Sequence, residues 1–225
     1  MQIPFLHMLQ VSDSTFPIGA FALSNGLETF VQERLLASCD DLREYIDSTL
    51  SFLPYTELGF FAHIFHGSQQ AEDICAVDNL YSAYKTPLEV RKGSMKLCQR
   101  FLKLWERIEP IPILATYQKC IQERRCMGHY CIALALFAKS KNLTYADAAS
   151  MYAYTILSAI VTNAVKNVPL SQFDGQSVLN AALPRIMDCV QCAQDVSLEE
   201  LGMGGSAFDI YAMRHETLYS RLYMS

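Results

Sequence analysis

Residues 148–166, AASMYAYTILSAIVTNAVK, make up the most apolar helical stretch of the chain, and its placement decides the fold. Its apolar run, Met151 to Val165, falls short of the ~20 residues that span a bilayer. It also carries Thr155, Ser158, Thr162 and Asn163, so it is predicted to be a buried helix at the centre of a bundle. Thr144 and Asp147 just before it have the spacing of a capping box. Lys166 suits the negative end of the helix dipole, and Pro169 stops the helix. In VPLSQFDGQSVL (168–179), Ser171 is placed to cap a new helix. Gln172, Asp174, Gly175 and Gln176 put polar and permissive residues where an ordinary helix start does not need them.

Upstream, Ser38 and Asp41 give another capping box, followed by Leu42, Tyr45, Ile46, Thr49, Leu50 and Leu53 at helical intervals. Pro54 kinks or breaks that helix before a second apolar portion, Leu58 to Phe65. Thr86-Pro87 opens a long helix, Leu88 to Arg107, with Pro in the first turn, where its missing N–H is harmless. This helix carries a basic face of Arg91, Lys92, Lys96, Arg100, Lys103 and Arg107. Such faces are usually solvated, and docking of an acidic partner is the alternative. Another helix is predicted over Leu114 to Arg125.

The opening stretch VSDSTFPIGAFALSNGLE (11–28) combines Ser and Asp oxygens able to bond nearby backbone N–H groups with a Pro17–Gly19 change of direction. A helix is predicted to start near Gly19, with Phe21, Leu23, Leu27, Phe30 and Val31 on its apolar face. Gly26 inside it costs about 1 kcal/mol relative to Ala, which implies close backbone approach. Ile3 to Gln10 forms a short apolar segment that packs on the body or swings away. At the other end, LGMGGS (201–206) lacks the Gly-Lys-Ser/Thr of a phosphate loop and suits a hinge. The segment after it, 207–225, is amphipathic and needs a docking face on the body or on a partner. The fold expected is all-α, one helical bundle of roughly ten helices over residues 1–225. Residues 1–12 and 207–225 are its mobile partner-binding ends.

Candidate chemistry is sparse. His63 and His66 lie three apart on one helix face but lack further zinc-type ligands. Cys126, His129 and Cys131 in CMGHYCIALALFA (126–138) match no zinc spacing, and the residues after them form an apolar helix. Cys189 and Cys192 form a CxxC inside a helix, without a second pair or an adjacent strand. No catalytic acid, base or nucleophile constellation emerges, and neither a cofactor nor a bound metal is expected.

Hydrophobic residues make up 51% of the 225-residue chain and charged ones 18%, a charged share below the usual quarter that leaves apolar surface for partners. A net charge of −5 without a Lys/Arg block argues against nucleic acid. The N-terminus MQIPFLHMLQ has no basic n-region, which predicts a cytoplasmic chain with reduced thiols and no membrane attachment.

Four stretches together resemble the UreF family of urease accessory proteins: LQVSDSTFPIGAFALSNGLETFVQE (9–33), TPLEVRKGSMKLCQRFL (86–102), VPLSQFDGQ (168–176) and MRHETLYSRLYMS (213–225). The resemblance implies a non-enzymatic, all-α homodimer that binds UreD (UreH in some systems). It then recruits and modulates the GTPase UreG for nickel insertion into urease apoprotein. Carried over by position, Arg214, His215, Glu216, Tyr219, Ser220, Arg221 and Leu222 fall to the UreD side. Asp13, Phe16, Pro17, Gly19, Glu28, Lys166, Pro169, Gln172, Gly175 and Gln176 fall to the dimer or UreG side. Many members have Arg and Gly where this chain has Lys166 and Ser171. Many also carry Ser-His where it has Ala22-Leu23, so no metal-relay histidine stands there. The alternative is a metallochaperone that holds nickel through His63 and His66 or through Cys126, His129 and Cys131.

Overall fold

Helix α8 (Tyr130–Ser140) is the innermost element: every residue from Tyr130 to Ala138 is buried. A helix this apolar on all sides must be wrapped on all sides. Around it pack α4 (Glu57–His66), α6 (Leu88–Ile108), α7 (Pro112–Gln122) and α9 (Tyr145–Asn167). The computed structural model describes residues 3–20 and 23–218, and among these the fold is all-α, with eleven α-helices and no β-strand.

The capping signals act where they were expected. Ser38 and Asp41 form a reciprocal box that starts α3 (Cys39–Phe52), whose Leu42, Tyr45, Ile46, Thr49 and Leu50 are buried. Pro54 sits in a 3₁₀ turn, Leu53–Tyr55, that separates α3 from α4. Ser171 and Asp174 form the same box at the start of α10 (Gln172–Asp195), and Thr144 accepts from the Asp147 amide at the start of α9.

Helix α9 is the element among the described residues long and apolar enough to cross a membrane by length and composition. Here Ala148, Ala149, Ala153, Leu157, Val161 and Ala164 are buried inside the bundle. The helix is longer than predicted because Tyr145 and Asn167 extend it at both ends. Small residues on this face let α10 come close. A Cβ on Gly175 would stand 2.7 Å from Val165 Cγ2 and 2.9 Å from Val161 Cγ1, which is why the first turn of α10 has a glycine.

Three expectations are corrected. Helix α2 (Leu27–Gln32) begins at Leu27, not near Gly19, because Gly26 adopts the left-handed φ of 89° as its N-cap. Pro87 is the N-cap of α6 rather than a first-turn residue. Helix α5 (Ala71–Tyr84), over AEDICAVDNLYSAY, had no counterpart in the sequence reading.

The chain ends are packed where they are described. Helix α1 (Ile3–Ser12) buries Met8 and Val11, and α11 (Ser206–His215) lies on α2 and α6. The glycine segment before α11 is wedged on the body: Gly202 donates its N–H to Tyr55 O at 2.7 Å. A Cβ there would fall 2.2 Å from Tyr84 Cδ1. Residues 219–225 of the predicted tail lie outside the described residues.

Candidate partner-binding surface

The turn between α1 and α2 is fastened by side chains of α6 and α9 and by the backbone of α11. Asp13 opens it: its Oδ1 accepts the Thr15 hydroxyl at 2.5 Å and the Thr15 amide at 2.7 Å. Those two bonds hold the Asp13 carboxyl below its ordinary range. Phe16 is buried against Phe101 of α6, with ring centroids 6.2 Å apart. Arg100 of α6 donates to Ile18 O at 2.8 Å. Gly19, at φ +81°, leaves room for that guanidinium, since a Cβ would lie 2.7 Å from Arg100 Nη1. Asn163 of α9 donates to Leu23 O at 2.9 Å. At Gly26 a Cβ would lie 2.7 Å from Ala212 Cα and 2.9 Å from Ala212 N, so α11 meets this turn backbone to backbone.

His215, at the end of α11, is fully buried between two carboxylates. Its Nε2 is 2.9 Å from Glu28 Oε2 on α2, and its Nδ1 is 2.9 Å from Glu89 Oε2 on α6. Each ring nitrogen of His215 thus meets one carboxylate oxygen, which ties α11 to both α2 and α6. Close by, Arg214 pairs with Glu33 at 2.6 Å and lies over Tyr211. Phe30, Tyr45, Phe208 and Tyr211 form an aromatic contact between α2, α3 and α11, with Phe30 and Tyr211 centroids 4.1 Å apart.

The N-terminal, middle and C-terminal stretches singled out in the sequence therefore meet at one place, and the fourth adjoins it. Lys166 follows Asn163 by one turn, and Pro169, Gln172 and Gln176 are exposed around the α9–α10 junction. Asp13, Pro17 and Arg214 are exposed as well, and Glu216 is partly so. Phe16, Glu28, Gly175 and His215 are buried and act as fasteners within the chain rather than as outward contacts. Tyr219, Ser220, Arg221 and Leu222 lie outside the described residues. Exposed apolar side chains flank the surface: Phe173 is 81% exposed, Ile210 55% and Met213 42%.

Beneath the surface lies a cavity of about 270 Å³ whose lining includes Ser24, Glu57, Tyr81, Lys85, Tyr152 and Asn163. Glu57 accepts from Tyr81 and Lys85 on one oxygen, at 2.6 and 2.5 Å, and from Tyr152 on the other at 2.5 Å. Burial alone raises its carboxyl pKa, but the Lys85 charge and these bonds outweigh burial and leave it below its ordinary value. Asp78, on the unpredicted α5, is the second buried node. It accepts the amides of Met127, Gly128 and His129 at 2.8, 3.2 and 3.1 Å, and also the Tyr117 hydroxyl. Both carboxylates were missed, because in sequence each is one acidic residue in an ordinary helix.

The metal candidates are held in other roles. His63 Nε2 faces Val196 O at 2.9 Å, and His66 packs on Tyr145. His129 is the buried N-cap residue of α8, and Cys131 donates to Glu57 O. Cys189 donates to Leu50 O, while Cys192 is exposed. Among the described residues no group of three or more His, Cys, Asp or Glu is arranged to hold a metal.

Burial depresses the His129 pKa from 6.5 to about 4. The unfolded chain then takes up a proton between those values while the fold refuses it. Stability falls as pH drops through this window, by up to about 3 kcal/mol. His129→Leu is expected to flatten that part of the pH profile, as urea melts between pH 7 and pH 4 will check; an unchanged slope would contradict it.

A family model described as UreF matches residues 36–183. The chain belongs to the UreF family. A urease accessory protein UreF from Haemophilus influenzae strain PittGG is 39% identical over 221 residues, covering 97% of this chain and 94% of that protein. One from Actinobacillus pleuropneumoniae is 39% identical, with 97% of each chain covered. Another, from Bacillus sp. strain TB-90, is 30% identical, with 98% of each covered. The three relatives each align with 97–98% of this chain, so their shared region takes in the turn, α6, the α9–α10 junction and α11, whereas the family model covers only α6 and the α9–α10 junction among these.

Proposed function

We propose that this chain is a non-catalytic scaffold of urease maturation that pairs with a second copy of itself, binds UreD (UreH) and recruits the GTPase UreG for nickel insertion. Urease accessory function comes from the family. The observation that carries the scaffold reading is the exposure of Phe173, Ile210 and Met213 around a surface that three helices hold rigid. Large apolar side chains left in water beside an ordered framework are what a protein partner covers. Helix α11 and the segment after it form the UreD side. The α9–α10 junction, with Lys166, Pro169, Gln172 and Gln176, together with the exposed part of the turn, forms the dimer or UreG side. Nickel is cargo of the assembly in this reading and not a resident ion of this chain.

Removing residues 207–225 is expected to abolish co-purification with UreD and urease activation in cells that carry the other accessory genes. Size-exclusion chromatography with light scattering, alone and with UreD and UreG, reports dimerisation and assembly together. Normal activation by the truncated chain would reject the role given to α11. A monomer that meets neither protein would reject the scaffold.

A further inference from the structure

Helix α6 concentrates six of the chain's 18 basic residues, in a protein whose net charge is −5. Two of the six are tied to backbone: Arg91 donates to Lys85 O at 2.7 Å, and Arg100 to Ile18 O at 2.8 Å. The other four, Lys92, Lys96, Lys103 and Arg107, are exposed. At successive offsets of four, seven and four residues they fall on one face, opposite the buried Leu97, Phe101, Leu102 and Trp105. The row they form is about 22 Å long. Like charges four apart on a helix repel one another, a cost that interspersed acids ordinarily reduce. Elsewhere several cations do find carboxylates, among them the pairs Arg125–Glu72, Arg185–Asp47 and Arg214–Glu33. Among the described residues none of the four ridge cations has one.

We propose that this cationic ridge of α6 docks an acidic face of a protein partner; this rests on the scaffold reading above and names the chemistry of one of its contacts. The ridge stands beside the fastened turn, since Arg100 on its flank holds Ile18, so a partner seated on it also reaches the exposed Asp13 and Pro17. A positive row on a negatively charged body steers and orients an oppositely charged protein. A nucleic acid is disfavoured, because its closely spaced phosphates would meet the net negative remainder of the surface.

The test is Lys96→Glu/Lys103→Glu in the full chain, with Lys96→Gln/Lys103→Gln beside it and thermal melting as the check on folding. Affinity for purified UreD and UreG is measured at about 50 mM and about 300 mM NaCl, where screening differs strongly. The wild-type complex is expected to weaken about tenfold over that range. The reversal is expected to lose about tenfold or more at low salt and to show little salt dependence. The neutral variant should fall between. Equal affinity and equal salt slope in all three would overturn the ridge while leaving the scaffold standing. Failure of the wild-type chain to bind either protein would overturn both. A duplex oligonucleotide that binds the wild type more tightly than these proteins, and is lost on reversal, would overturn the assignment to a protein partner.

Discussion

Glu57→Ala is expected to destabilise the fold by about 3 kcal/mol, the low end of the cost of breaking a buried ion pair, because the pair keeps some contact with solvent. The Lys85 ammonium and the Tyr81 and Tyr152 hydroxyls all donate to this one carboxylate, and their side chains stand in the bundle interior or at its edge. Removing the acceptor leaves two phenols without their acceptor and a cation with only the Tyr81 hydroxyl to donate to, in a cavity also lined by Ser24 Oγ and Asn163 Oδ1, which find no partner among the described residues. For a chain of this size the melting temperature should fall by roughly 6–12 °C. Glu57→Leu combined with Lys85→Met should cost clearly less than Glu57→Ala, because the double change removes the pair instead of orphaning one member. Thermal or urea melts of the three chains decide it. If the double variant is no more stable than Glu57→Ala, the coupling described here does not exist. The sign with pH follows from the depressed carboxyl: its contribution is present above the ordinary glutamate pKa and is lost as pH falls through the lower folded value.

Elements set by local chemistry were legible in the sequence. The Ser38–Asp41 and Ser171–Asp174 boxes are formed by residues three apart, so the signal and the structure occupy the same few residues. Helix α8 could be recognised as core because a run from Tyr130 to Ala138 without a polar face has nowhere else to go. Elements set by distant partners were not legible. Nothing local in AEDICAVDNLYSAY marks a cap or a strong apolar stripe, so α5 was passed over and Asp78 with it, although its partner Tyr117 lay within a predicted helix and its partner His129 had been singled out as a metal candidate. Glu57 is a first-turn acid whose meaning depends on Tyr152, 95 residues away. His215 was assigned to an outward docking face, whereas its two carboxylates, 187 and 126 residues distant, draw it inside. The candidate surface was found only because family resemblance marked the stretches that fold together.

Gly26→Val should separate partner binding from folding. The residue is left-handed at φ 89°, which costs a residue with a Cβ about 1–2 kcal/mol. The larger effect is geometric: the new Cβ would stand 2.7 Å from Ala212 Cα, and backbone cannot swing aside as a side-chain tip can. Helix α11 must retreat from α2, and with it go the His215 contact to Glu28 and the Phe30–Tyr211 stacking. The bundle around α8 and α9 does not depend on those contacts, so the variant should keep most of its helicity while melting several degrees lower. Amide exchange should quicken throughout α11 while the slow core of α8 is unchanged. On the scaffold reading, affinity for UreD should then fall as far as it does on removing residues 207–225, because a helix that no longer holds one orientation must be ordered at the partner's expense. Full protection of the α11 amides together with undiminished UreD binding would mean that the fastening of α11 by Gly26 has no part in presenting that surface.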